Sequence, residues 1–192
     1  MSNTSATGGV LSPAVTPAPL EGDALQDFFH DLFAGITGLD ATLIRPRWQP
    51  EPANIPATGT DWLAFGVTNM QADTYAAELH EPDGSGYNEL RRHQTLTLLL
   101  SFYGPNAGAY CDRLRDGLQV SQNREPLQLA NMGLVATGDA RSVPELVKQR
   151  WYNRVDCELI VRRQIVRKYD VLNLLSGSGE IKTADVTVGF ET

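Results

Sequence analysis

Histidine and cysteine are scarce: three histidines and two cysteines among 192 residues. Cys111 and Cys157 lie 46 residues apart and fit no metal or redox spacing; both fall on apolar faces. They read as reduced core thiols of a protein made in the cytosol. The longest apolar run, Leu96 to Tyr103, is interrupted by Thr97 and Ser101 and falls short of the roughly 18 residues a membrane span requires. The opening stretch, "MSNTSATGGVLSPAVTPAP", has neither a basic n-region nor an apolar h-region and is not expected to be a secretion signal.

Positive charge is also in short supply, with 16 Lys and Arg against 23 Asp and Glu and a net charge of -7. Sequence-independent nucleic-acid binding rests on clustered cations that neutralise phosphates, and this balance argues against it. The charge is unevenly spread. Residues 1–89 carry 2 basic and 12 acidic side chains (2 - 12 = -10), whereas residues 141–170 carry 8 basic and 4 acidic (8 - 4 = +4). Separate segments of opposite sign favour contacts between copies of the chain, although a merely solvated surface has the same composition.

Candidate catalytic chemistry is thin. His30 stands between Asp27 and Asp31 on a helix, with His30 and Asp31 expected to point in different directions. His80, in "ELHEPD", falls in an expected loop with carboxylates nearby, and reads either as a metal ligand or as part of a solvated charged loop. His93 follows "RR" in a strand and is expected to face water. "DGSGYN" and "SGSGE" lack the Gly-x4-Gly-Lys-Ser/Thr spacing and the strand-to-helix setting that cradles phosphate, and read as turns. No Gly-x-Ser-x-Gly elbow is present. The sequence supplies no catalytic, metal or cofactor residue, and the reading is a protein that is not an enzyme.

What is present is a patterned α+β chain. Residues 1–20 are mostly small and polar with prolines, bury little, and are expected to be a flexible arm that orders by lying on another chain. Residues 21–192 are expected to form a single α+β domain. In "GDALQDFFHDLFAGITG", Leu25, Phe28, Phe29, Leu32, Phe33 and Ile36 form one helical stripe, with Asp23 as N-cap and Gly38 as the stop. "ATLIRPRW" and "DWLAFGVTNM" predict strands, and "HEPDGSGYNEL" a hairpin tip. In "RRHQTLTLLLSFYG", Leu96, Leu98, Leu100 and Phe102 share one strand face. A second helix is predicted over 106–120, a helical turn over 126–132, and a short strand in "GLVATG". Residues 149–175 are the most β-like, with Val155, Cys157, Leu159 and Val161 alternating; Arg162, Arg163, Arg167 and Lys168 are assigned to an exposed face or edge. The tail from Ile181 has weak strand character. The fold class is α+β: one mostly antiparallel sheet packed against two main helices, with a flexible N-terminal segment and a long proline-rich loop.

That loop, "RPRWQPEPANIPATGTDW", holds four of the eleven prolines, two arginines and two tryptophans. Proline fixes φ and stiffens an extended chain, so the segment loses less entropy on docking than a Gly/Ser linker would. Tryptophan and arginine are enriched where interfaces draw their affinity. The reading is an ordered arm anchored at both ends, with Arg45, Arg47, Trp48, Gln49, Glu51 and Trp62, together with Arg162 and Arg163, as interface residues. Burial of Trp48 and Trp62 in the chain's own core is the alternative.

The helix ending in "GITGL", the segment "IRPRWQPEP", the strand start "GTDW", and the later "LTLLLSFYGPNA" and "REPLQLANMGL" together resemble the neck or tail-terminator proteins of tailed bacteriophages. The likeness covers about 20–135 well and the rest loosely. It implies a sheet flanked by helices, assembled as a ring, typically a hexamer, at the head-proximal end of the tail. Such a ring caps the tail tube, stops its growth, and meets head-completion or connector proteins, while genomic DNA passes through the lumen without specific binding. It implies a virion component with no cofactor and no membrane partner. The competing readings are a tail-completion or tube-adaptor protein elsewhere in the tail, a small hydrolase using the loop around His80, and a monomeric peptide-binding module using Trp48 and Trp62.

Overall fold

The computed structural model describes residues 3–14, 17–51, 54–57, 59–147, 149–174, 178–182 and 187–191. Its elements in chain order are α1 (Gly22–Thr37), β1 (Ile44–Pro46), β2 (Trp62–Ala72), β3 (Ala77–Glu81), β4 (Tyr87–Tyr103), α2 (Ala107–Gly117), α3 (Glu125–Leu129), β5 (Met132–Thr137), β6 (Arg141–Ser142), β7 (Glu145–Val147), β8 (Arg150–Tyr152), β9 (Arg154–Tyr169), β10 (Ser178–Lys182) and β11 (Thr187–Glu191). The chain divides into two compact units, one of Ala18–Tyr75 and Arg92–Ile165, the other of Met1–Pro17, Ala76–Arg91 and Val166–Thr192.

In the larger unit the strand order is β1-β2-β4-β9-β5, with β6 also pairing with β9. The pairings β2–β4, β5–β9 and β6–β9 are antiparallel, while the three-residue edge strand β1 runs parallel to β2. Alternation sorts each strand between two faces. Leu63 and Phe65 of β2, Leu96, Leu98, Leu100 and Phe102 of β4, and Val155, Cys157, Leu159 and Val161 of β9 meet Phe29 and Phe33 of α1 and Cys111 and Leu114 of α2 in one core. Phe33 and Phe65 pack edge to face at 5.2 Å. Burying each such side chain stabilises the fold by about 1.5–3 kcal/mol. The other face of β2 and β4 holds a smaller cluster of Trp62, Ala64 and Tyr103, flanked by Leu43 and Tyr152.

The expected helix stripe is the buried face of α1, and Gly38 ends the helix as expected, at φ 69° with its N–H donating to the Ala34 carbonyl at 2.9 Å. Asp23 is not the N-cap. α1 starts at Gly22 (φ 55°), two residues earlier than an Asp23 cap implies; Glu21 precedes it without a side-chain cap, and Asp23 lies in the first turn. A register shift between Val67 and Asn69 interrupts β2, leaving Thr68 to donate through its hydroxyl to the Thr97 carbonyl at 3.1 Å.

In the smaller unit, β3 pairs antiparallel with the start of β4, from Ala77↔Arg91 to Glu81↔Tyr87, forming the hairpin expected around "HEPDGSGYNEL". The Ser5 N–H donates to the Asp170 carbonyl at 3.0 Å and the Ala14 N–H to the Lys168 carbonyl at 2.6 Å. Of the N-terminal segment, Met1, Ser2, Val15 and Thr16 lie outside the described residues. β10 and β11 form an antiparallel pair in the tail. "SGSGE" is therefore not wholly a turn: Ser178, Gly179 and Glu180 belong to β10, and Ser176 and Gly177 lie outside the described residues.

Candidate subunit interface

The proline arm leaves the sheet edge along β1. Pairing with β2 runs from Ile44↔Leu63 to Pro46↔Phe65, and the Arg47 N–H adds one more bond, to the Phe65 carbonyl at 2.7 Å. Trp48 then turns the chain at φ 58°, a left-handed conformation that a bulky residue adopts only when its surroundings hold it there. Its ring lies against Gly66, where a Cβ would fall 2.5 Å from Cζ3. Gln49 Nε2 donates to Gln26 Oε1 of α1 at 2.7 Å. Further on, the Thr60 N–H donates to the Ala57 carbonyl at 2.9 Å, and Asp61 accepts from the Asn106 backbone N–H (2.8 Å) and side-chain amide (2.9 Å) at the start of α2. Pro52, Ala53 and Thr58 of the arm lie outside the described residues.

The two tryptophans have opposite fates. Trp62 is 8% exposed and stacks on Tyr103 with centroids 4.2 Å apart and planes at 6°. Trp48 is 69% exposed. It lines two shallow clefts. One, of about 170 Å³, has Leu25, Gln26 and Phe29 of α1 facing Gly66 and Met70 of β2. The other, of about 310 Å³, has Arg45, Pro46, Glu51, Ile55, Trp62 and Ala64 around it. The arginines there hydrogen-bond to the arm and to β4. Arg45 donates to the Asn54 carbonyl and, at 3.4 Å, to that of Thr42, with its guanidinium 5.8 Å from the Trp62 ring centre. Arg47 Nη2 donates to Ser101 Oγ at 2.5 Å. Two buried donors, Trp62 Nε1 and Arg47 Nε, have no hydrogen-bond acceptor among the described residues.

Arg162 and Arg163 line neither cleft. Arg162 is exposed and pairs with Asp73 at 2.7 Å. Arg163 is not on an exposed face: it is 2% exposed, and it donates to Gln94 Oε1 (2.8 Å), the Leu20 carbonyl (2.5 Å) and Glu21 (3.4 Å). Alternation along β9 turns it inward with Val161 and Ile165, where polar acceptors from the segment before α1 receive it.

Two of the histidines, His30 and His80, have hydrogen-bond partners on both ring nitrogens. His80 is on β3 rather than in a loop, because the hairpin pairs Leu79, His80 and Glu81 with β4. His30 and Asp31 do meet, at 3.0 Å, since the ring reaches sideways while its Nε2 lies 2.9 Å from the Ala41 carbonyl. His93 is half-exposed, 3.8 Å from Asp73. Cys111 and Cys157 are buried and hydrogen-bond each other across α2 and β9, and that contact together with burial pushes the Cys157 thiol up. Among the described residues no three His, Cys, Asp or Glu side chains converge as a metal site, and no helix is long and apolar enough to cross a membrane.

The pattern in the sequence did not mark the third tryptophan. Trp151 on β8 is 69% exposed and pairs across the hairpin with Leu146 of β7, itself 56% exposed. Its signal was an aromatic between Arg150 and Tyr152 in a segment read only as strand.

The α+β sheet carries the arm at one edge and leaves large apolar side chains, Trp48 and Trp151 among them, facing water. The profile of the phage neck terminator protein family matches residues 23–192, and the chain belongs to that family. It is a structural protein of the phage neck and so a component of the virion. No curated protein matches the chain.

Proposed function

We propose that copies of this chain close into a ring, a hexamer, that caps the tail tube, ends its growth and joins the tail to the head connector or head-completion proteins. The observation that carries this reading is Trp48. The chain holds it in a left-handed conformation, tethered through Gln49 to α1 and through Asp61 to α2, yet leaves most of its indole in water. Such a pre-ordered aromatic docks with little entropic cost, and interface affinity concentrates on residues of this type. The overall charge of -7 suits a conduit through which DNA slides without sticking. The arm residues Arg45, Arg47, Trp48, Gln49 and Glu51 face the neighbouring subunit or tube; Trp62 supports them from beneath, and Arg162 lies on a second contact surface.

Deleting residues 46–58 and imaging particles made with that variant tests the proposal. The expected result is a chain that folds, with tails that are overlong or not joined to heads. Tails of normal length on full heads would overturn it. Tails of normal length that fail further down would favour a tube adaptor instead.

A further inference from the structure

The strand edges of the larger unit are not alike. β1 shields only residues 63–65 of β2 and carries Arg45 and Pro46, while β6 is two residues long and carries Arg141. Short length, proline and charge keep an edge from pairing with another chain. Two longer stretches lack all three. Residues 67–72 of β2 (VTNMQA) and 132–137 of β5 (MGLVAT) are six residues each, without a proline or a charge. Among the described residues β2 pairs only with β1 and β4, and β5 only with β9, so no strand lies on the far side of either stretch. Met70 and Val135 within them are 52% and 56% exposed.

The two stretches stand on opposite edges of one sheet, in the order β1-β2-β4-β9-β5. They also run in opposite directions. The Gly104 N–H, just past β4, donates to the Asn153 carbonyl just before β9 at 3.1 Å, whereas Gln94 earlier in β4 meets Arg163 later in β9 at 2.8 Å. β4 and β9 are therefore antiparallel, as are β2–β4 and β5–β9, and three reversals set β5 against β2.

We propose that β5 of one copy pairs antiparallel with residues 67–72 of β2 in the next, joining the sheets of neighbouring copies into one closed belt. This rests on the ring reading and names the contact that builds it. Copies turned about an axis along the strands meet in this direction and keep their helices on the same side. The pleat then selects the register. Val67 and Met70 lie opposite Leu98 and Leu96 of β4, and Met132, Leu134 and Thr137 opposite Arg163, Val161 and Leu159 of β9, all of which point into the core. Pairing Val67 with Thr137, Asn69 with Ala136, Met70 with Leu134, Gln71 with Gly133 and Ala72 with Met132 keeps like faces together. It leaves over Thr68 and Val135, the residues that the register shifts of β2 and β5 already set aside. A bulge blunts an edge against a regular strand, but one bulge on each strand restores the match within a pair. The incoming strand lies in line with β1 on the same side of β2, and Trp48, resting against Gly66, stands where the two meet. Pairing β2 with a second β2 would leave β5 open, whereas the head-to-tail contact covers both edges of every copy in a ring.

The test uses the full chain with purified tail tubes, light scattering, microscopy and amide exchange. Asn69 and Ala136 are exposed in the single chain, so changing them leaves its core intact. Asn69→Lys with Ala136→Lys sets like charges opposite each other and should raise the concentration for half-maximal ring formation about fivefold. Asn69→Lys with Ala136→Glu should return it to near the wild-type value. Asn69→Cys with Ala136→Cys in one chain should give an oxidised ladder of copies that ends at the ring, and neither change alone should. Amides within 67–72 and 132–137 should gain protection as rings form. Rings that leave both stretches unprotected and give no ladder overturn this contact and leave the ring reading standing. Cross-linked dimers of the Asn69→Cys variant alone would mean that like edges pair, and likewise overturn it. A ladder that runs on without closing keeps the contact and overturns the ring. A wild-type chain that stays single, free and on tubes, overturns both.

Discussion

Trp48 lies on Gly66 so closely that there is no room for a side chain between them: an added Cβ would stand 2.5 Å from Trp48 Cζ3 and 3.2 Å from Arg47 Cβ. The glycine on β2 is therefore the seat of the arm. Gly66→Ala should push the indole outward and release the left-handed turn at Trp48. Overfilling a tight contact costs about 1–3 kcal/mol, and here the arm gives way before the sheet does. The expected result is a modest fall in melting temperature, a change in tryptophan fluorescence, and loss of assembly. Unchanged assembly would show that the arm's resting position is not the one used.

Trp48 and Trp62 separate stability from assembly. Trp62 stacks on Tyr103 on the face of the sheet away from the helices, and Trp62→Ala should cost about 3–5 kcal/mol. Trp48→Ala removes a mostly exposed ring and should change stability by no more than about 0.5 kcal/mol while weakening subunit association. Thermal melts of both variants beside light scattering would check the contrast. A Trp48 variant as unstable as the Trp62 variant would make Trp48 a core residue.

The main elements were legible because burial imposes a period. The stripe from Leu25 to Ile36 and the alternations in β4 and β9 each face a single core, so their spacing encodes it. What was not legible depended on distant partners. Arg163 reads as a surface cation, since nothing local announces that Leu20, Glu21 and Gln94 will surround it. His80 reads as a loop residue because its strand is defined by pairing with β4 rather than by hydrophobic pattern. Within the arm, the residue types suggested contact, but whether Trp48 or Trp62 would be buried depended on which one met Tyr103 across the β2–β4 pair. Trp151 escaped notice because its hairpin departs from the main sheet.

Arg163 supplies a stability test. Truncation to alanine strands Gln94 Oε1 and the Leu20 carbonyl in a buried setting and should cost about 3 kcal/mol, the scale of losing charge-assisted hydrogen bonds in the interior. Arg163→Lys, which keeps the charge but not the forked geometry, should recover only part of the loss. Denaturant melts of the three chains would measure the order. An alanine variant as stable as wild type would mean that the segment before α1 does not depend on this residue.

His80 makes stability depend on pH in a definite direction. Asn88 Nδ2 donates to Glu78, and Asn173 Nδ2 donates to the carbonyls of Pro82 (2.8 Å) and Gly84 (3.3 Å), so both amide oxygens face the imidazole, at 2.7 and 2.8 Å. Both ring nitrogens then donate only in the imidazolium form. The bonds to Asn88 and Asn173, aided by the nearby charge of Glu81, raise the pKa above its ordinary value. A raised folded-state value means that the contribution is complete below the unfolded pKa of about 6.5 and is lost as pH rises through the folded value. His30 is also raised: partial burial opposes the shift, but Asp31 and the Ala41 carbonyl outweigh it, so a global melt mixes the two. Site-resolved titration by NMR separates them. The His80 midpoint should lie above 6.5, the Asn173 N–H, which donates to the Ser85 carbonyl at 2.9 Å, should exchange faster above that midpoint, and His80→Gln should abolish the step. A His80 midpoint at or below the ordinary value would mean that the ring is neutral and that one of the two amides is turned the other way.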